Sequence, residues 1–159
     1  MKITTWNING IRARIEGAIA YVREARPDVL CLQEIKTVDE GFPTEAFADL
    51  GYNVATHGQK GFNGVALLAL HPLEDVRRGL PGDDGDAQAR YIEASVTAGG
   101  LSARVASIYL PNGNPVGSEK FPYKLAWMQR LAAHAAALLA SEMPVVLAGD
   151  LNVIPEPED

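Results

Sequence analysis

Short apolar runs that stop abruptly at amides or acids recur along this chain, and stripes of helical period separate some of them. Residues 2–6, Lys-Ile-Thr-Thr-Trp, read as a first strand that ends at Asn7-Ile8-Asn9-Gly10. Ile11, Ile15, Ala18, Ile19, Val22 and Ala25 then recur at helical spacing, with Arg and Glu between them, until Pro27 forbids continuation. Residues 29–33 form a second strand that delivers Glu34 and Lys36 at its carboxyl end. The unit has the length of a crossover between parallel strands, which would bring both polar clusters to one edge.

A short helix is predicted over 44–50, then strands over 52–56 and 65–70 joined by a polar loop, 57–64. The loop's glycines fit no phosphate-loop or dinucleotide fingerprint, so a plain hairpin connection is the default, although His57 could touch a phosphate. Residues 77–86 read as a solvated loop from their Gly, Pro and Asp content, without the twelfth-position Glu of an EF-hand. Residues 90–96 and 101–110 alternate faces around Gly99-Gly100, a hairpin whose second strand ends in Tyr109-Leu110-Pro111-Asn112-Gly113. The longest helix is predicted over 124–140, burying Leu125, Met128, Leu131 or Ala132, Ala135, Leu138 and Leu139, with His134 a packed neighbour of that stripe. Lys120 and Lys124 precede or open it and could meet phosphate, although solvated lysines are the commoner case.

The run Val145-Val146-Leu147-Ala148-Gly149 after Pro144 predicts a buried strand with Asp150 at its carboxyl end. Open α/β sheets bind ligands in the crevice outside such ends. Extended backbone would turn Asp150 and Asn152 to the same side, whereas an Asx turn capping the strand is the plainer alternative.

Composition narrows the class. At 159 residues, 47% hydrophobic and 21% charged, the chain suits one domain with a real core. It has no apolar stretch of membrane-spanning length and no signal-peptide pattern at Met1-Lys2, so a cytoplasmic protein without a membrane partner is expected. Cys31 lies in an apolar run and reads as a buried structural thiol. The net charge of −6 argues against a protein that coats nucleic acid, though not against a local basic rim.

Polar residues therefore gather at four strand ends: Asn7 with Asn9, Glu34, Tyr109, and Asp150 with Asn152. Together they offer oxygen ligands for Mg²⁺ or Mn²⁺, an acid to activate water, and a phenol and amides for phosphate oxygens. This is the inventory of metal-assisted phosphodiester hydrolysis. Zinc is disfavoured, because no Cys/His cluster exists.

Five motifs in order, residues 7–14, 32–36, 57–61, 109–113 and 149–152, carry a resemblance that runs the length of the chain. The chain resembles the exonuclease III and AP endonuclease family, which implies an α/β (α+β) fold, the four-layered α/β sandwich of the endonuclease/exonuclease/phosphatase superfamily. The resemblance implies a metal site with Glu34 as the principal ligand, Asn7 assisting, and Asp150 and Asn152 contributing. Asp150 would also activate the attacking water, Asn152 hold the scissile phosphate, and Tyr109 steady its developing charge. Asn9, Lys36, Lys60, Arg90 and Asn112 would lie along duplex DNA. The implied activity is Mg²⁺-dependent repair hydrolysis, at abasic sites and at 3′ ends, by a monomer. The family also carries a further catalytic Asp, a Trp-containing DNA loop and a terminal Ser-Asp-His motif, none of which these residues include. A single domain, 1–159, incomplete at its carboxyl end is therefore expected. Another phosphodiesterase or phosphatase of the superfamily, or a non-catalytic DNA-binding remnant, are the competing readings.

Overall fold

Five consecutive residues with no solvent-facing side, Val29–Gln33 (β2), stand at the centre of a sheet whose two faces are both covered. The computed structural model describes residues 1–154 and residue 156. In the first sheet, β1 (Ile3–Asn7) and β2 run parallel, while β3 (Asn53–His57) and β4 (Val65–Ala69) are antiparallel neighbours, giving the order β1-β2-β4-β3. The crossover from β1 to β2 is a turn of 3-10 helix, Arg12–Arg14, followed by α1 (Ile15–Ala25). Its end is set by Arg26 in the left-handed conformation and by Pro27 after it.

The second sheet repeats this device. Its strands β5 (Glu74–Arg78), β6 (Tyr91–Ala98), β7 (Leu101–Tyr109) and β8 (Val145–Asp150) lie in that order, β6 and β7 as the hairpin and β7 parallel to β8. The crossover is α3 (Lys120–Leu139). Each sheet thus contains one parallel pair, and parallel strands put their carboxyl ends at the same edge.

Three apolar cores define four layers. Ile11, Ala18 and Val22 with Phe47 of α2 (Thr44–Ala48) cover the outer face of the first sheet. Val29, Cys31 and Leu67 meet Ile92, Val96 and Val105 between the sheets. Trp127, with Tyr123 and Leu131, seals α3 onto Tyr91, Ala106 and Ile108 of the second sheet. The result is the four-layered α/β sandwich. Burial pushes the Cys31 thiol up to about 12, which leaves it an inert core atom. Among the described residues no helix is long and apolar enough to cross a membrane.

Three expectations fail here. β8, expected to be buried, is half-buried along its whole length. The segment read as loop from Arg77 is partly β5, an edge strand paired with β6 through an irregular register between Glu74 and Arg77. The face of α3 is also shifted: Leu125, Met128 and Leu139 are exposed, and the helix turns Tyr123, Trp127, Arg130, Leu131 and His134 inward. Trp127 anchors that face in the apolar core, and polar partners on the sheet extend it. Tyr123 and Arg130 both donate to Asp86, and His134 Nε2 lies 3.1 Å from Oε2 of the fully buried Glu93. Glu93 also accepts from Tyr91 at 2.7 Å and Arg104 at 2.8 Å, so a charge that would be costly alone is held by three partners.

Candidate active site

The edge where the two parallel pairs end is built from both sheets, and a hydrogen-bond relay links the sheets beside it. Gln33 Nε2 donates to Ser107 Oγ at 3.0 Å, and Ser107 Oγ donates to the Leu32 carbonyl at 2.8 Å. Gln33 immediately precedes Glu34, and Ser107 lies two residues before Tyr109. The relay therefore sets the distance between the carboxylate and the phenol.

Asn7, last in β1, closes the site. Its Nδ2 donates to Glu34 Oε1 and to Asp150 Oδ2, both at 2.8 Å, so one amide joins two carboxylates carried by different sheets. Its Oδ1 accepts the N–H of Asn9 at 3.1 Å. Like charges at this spacing repel unless donors lie between them.

Glu34 adopts a positive φ of 51°, directly after the last residue of β2. Burial alone would raise its pKa, but Asn7, Lys36 and Tyr109 together hold it below the ordinary carboxylate value. Lys36 Nζ stands 3.0 Å from Glu34 Oε2 and also donates to Asn9 Oδ1. Lys36 and Asn9 thus form part of the site's wall.

Tyr109 ends β7, half-buried. Burial and then the Glu34 carboxylate push its phenol up to about 12, against Arg90, so it remains a proton donor at neutral pH. The Arg90 guanidinium carbon lies 4.8 Å from the centre of the Tyr109 ring, and Arg90 Nη1 donates to the Tyr109 carbonyl. Arg90 also borders a cleft of about 500 Å³ beside the site, walled by Gln59, Phe62, Gln88, Lys120 and Tyr123 among others.

At β8 the extended-backbone expectation gives way to the Asx turn. Asn152 adopts a φ of 46°, and its N–H donates to Asp150 Oδ1 at 2.9 Å. The turn still brings both residues to the site, with Asn152 Nδ2 donating to the Leu110 carbonyl at 2.8 Å. Gly149 explains how β8 approaches so closely: a Cβ there would stand 1.9 Å from the Ile108 carbonyl oxygen. Gly149→Ala is expected to force β8 from β7, at a cost of about 1–3 kcal/mol, and to carry Asp150 out of place. Urea unfolding should show the loss, and turnover should fall further than stability does.

Asn7, Glu34, Tyr109, Asp150 and Asn152 are therefore brought together, with Asn9, Lys36 and Arg90 adjoining. Lys60 is exposed on the loop between β3 and β4, and Asn112 is exposed after β7, its Oδ1 accepting the Asn114 N–H at 3.0 Å. Two of the loop's three glycines serve packing, since a Cβ on Gly58 would meet the Thr37 carbonyl at 2.5 Å and one on Gly64 would meet Ile35 at the same distance, whereas Gly61 is open and adopts a φ of 81°. His71 pairs with Asp28 and His134 with Glu93. Sequence reasoning missed the Gln33–Ser107 relay and left Lys124 between solvation and a phosphate contact, whereas its Nζ donates to the Asn152 carbonyl at 2.6 Å.

Among the described residues no group of three or more His, Cys, Asp and Glu could hold a metal ion. The strand ends offer instead the two carboxylates of Glu34 and Asp150, with the Asn7 amide turning its nitrogen to both and its oxygen to the Asn9 N–H. That suits a hard cation such as Mg²⁺, which takes one or two carboxylates and completes its shell with water and substrate phosphate.

This fold and site have known counterparts. The chain belongs to the Endonuclease/Exonuclease/phosphatase family, which it matches over residues 4–159. It is 40% identical to exodeoxyribonuclease III of Haemophilus influenzae over 160 residues, covering 100% of this chain and 60% of that protein. It is 31% identical to the DNA repair nuclease APEX1 of Danio rerio, covering 96% of this chain and 49% of that protein. Among solved structures, the 3′-5′ exonuclease of Neisseria meningitidis superposes with a TM-score of 0.91 at 35% identity, across 100% of this chain and 60% of that one. An AP endonuclease from Archaeoglobus fulgidus gives a TM-score of 0.83 at 38% identity, with the same coverage. The chain spans about half to three-fifths of the length of these relatives.

Proposed function

We propose that the chain belongs to a magnesium-dependent DNA-repair nuclease that hydrolyses phosphodiesters of duplex DNA, as a 3′-to-5′ exodeoxyribonuclease and an abasic-site endonuclease. The observation that carries this reading is the Asn7 amide holding Glu34 and Asp150 together from opposite sheets. The names of the relatives, exodeoxyribonuclease III, DNA repair nuclease and AP endonuclease, support DNA as the substrate. One related structure, a 3′ phosphatase from Neisseria at 35% identity, is bound to a product DNA hairpin.

Bound Mg²⁺, with Glu34 as its main protein ligand and Asn7, Asp150 and Asn152 nearby, would neutralise charge on the phosphate. The chain's own residues then have separable tasks. Asp150 accepts a proton from the attacking water, whose oxygen bonds to phosphorus as the P–O bond to the departing strand breaks, and the departing oxygen keeps that electron pair and takes a proton from solvent to become the product hydroxyl. Asn152 and Tyr109 donate to phosphate oxygens as their charge grows. Lys36, Lys60, Arg90 and Asn112 line the approach for the DNA backbone, with Asn9 behind Lys36. A net charge of −6 makes this local arrangement, rather than overall charge, responsible for attracting phosphate.

The test presents the protein with three substrates, each in Mg²⁺ and in chelator: duplex with one abasic analogue, duplex with a recessed 3′ end, and a small aryl phosphodiester. Cleavage of both duplexes, lost in chelator, is expected. Turnover of the small diester with neither duplex cut would move the protein to a different phosphodiesterase, and duplex binding without cutting would make it a binding module.

A further inference from the structure

Lys124 sits in the second turn of α3, and its surroundings give it work that its charge alone does not suggest. Its Nζ donates to the Asn152 carbonyl at 2.6 Å and reaches the Asn112 carbonyl at 3.4 Å. Its stem crosses Gly113, where a Cβ would stand 2.8 Å from Lys124 Cδ and 3.3 Å from its Cβ. Gly113 also adopts a φ of 76°, so both the conformation and the close approach call for glycine. One ammonium thereby ties together α3, the loop after β7 and the turn after β8.

That turn is where precision matters. Asn152 holds a left-handed backbone, donates its N–H to Asp150 Oδ1 and donates Nδ2 to the Leu110 carbonyl. Its remaining backbone group, the carbonyl, is the one Lys124 takes. A charge-assisted bond to that carbonyl fixes the peptide plane and, through the N–H on the other side of the residue, the carboxylate of Asp150. A phosphate-binding lysine would instead keep its ammonium available to the groove.

We infer that Lys124 is a positioning residue, which sets Asp150 and Asn152 by clamping the Asn152 carbonyl and does not bind the DNA backbone. This rests on the proposed reading of the site as one that hydrolyses phosphodiesters. Lys124→Met keeps the apolar stem over Gly113 and deletes the ammonium. A displacement of Asp150 by a fraction of an ångström to one ångström should lower kcat about 10- to 100-fold. KM for duplex DNA, and the salt dependence of DNA binding, should stay at parental values.

The experiment measures kcat, KM and the salt slope of binding for the full-length protein and Lys124→Met, with amide hydrogen exchange at Asn152 in the absence of DNA. Lys124→Cys alkylated with 2-bromoethylamine restores an ammonium at lysine's length, and the parent treated identically is the reference; Cys31 is buried and spared. A fall in kcat with unchanged KM and salt slope, faster exchange at Asn152 and recovery on aminoethylation are the expected results. A raised KM with a salt slope reduced by about one and kcat retained would overturn the inference, because that marks a lost phosphate contact. An unaltered kcat, or no recovery on aminoethylation, would overturn it too. If the parent cuts no phosphodiester, the functional reading fails first, while Asn152 exchange still shows whether the clamp exists.

Discussion

Asp150→Asn is expected to lower kcat on duplex DNA by about 10³-fold, inside the span of roughly 10² to 10⁴ associated with a positioned general base. The replacement has nearly the same shape but cannot accept a proton from water. It also cannot keep both of the present hydrogen bonds, since Asp150 accepts from Asn7 Nδ2 at one oxygen and from the Asn152 N–H at the other. Either orientation of the new amide turns its NH₂ toward a donor. The fold itself should survive, because β8 keeps its register with β7 from Arg104↔Val145 to Tyr109↔Asp150. Single-turnover rates together with thermal melting separate the two effects. A variant that melts like the parent and cuts within tenfold of its rate would remove Asp150 from the chemistry.

Asn7→Leu is expected to cost about 10²-fold in kcat/KM and to change the pH profile in a defined direction. Burial works to raise the Glu34 pKa, and the Asn7 hydrogen bond is the largest of the influences that bring it below the ordinary 4.5. Without that donor Glu34 and Asp150 face each other unshielded, so the Glu34 pKa rises. In the parent, the stability contributed by ionised Glu34 is present above the ordinary carboxylate pKa and is lost as pH falls through the lower folded value. In the variant both that loss and the acidic limb of the rate profile move to higher pH. A pH–rate profile taken down through the carboxylate range reads the shift. An acidic limb left in place would mean that Asn7 does not govern the carboxylates.

The central strands and the site's membership were legible in the sequence for one physical reason. The runs of β2 and β8 are apolar until their last residues, so Gln33-Glu34 and Asp150 mark the carboxyl ends of those strands, and Asn7 closes the more polar β1. β5 gave no such signal. Its Glu-Asp-Val-Arg-Arg is polar on both faces, as an edge strand can be, and it pairs through an irregular register. The face of α3 was misjudged because counting apolar residues cannot see that Asp86 and Glu93 wait on the sheet side for Tyr123, Arg130 and His134. For Lys124 the sequence offered a phosphate contact or plain solvation, with solvation the commoner case. Its true partner is a carbonyl in a left-handed turn, which spacing along a helix does not reveal.

The joining of two sheets' carboxylates through one amide is tested most directly by a double-mutant cycle. The kcat values of the parent, Asn7→Leu, Asp150→Asn and the double variant are measured on one duplex substrate in saturating Mg²⁺. If Asn7 acts by holding Asp150 and Glu34 in one working unit, the double variant will be little slower than Asp150→Asn alone, as for residues that act together. Losses that multiply, as they do for independent sites, would contradict the account.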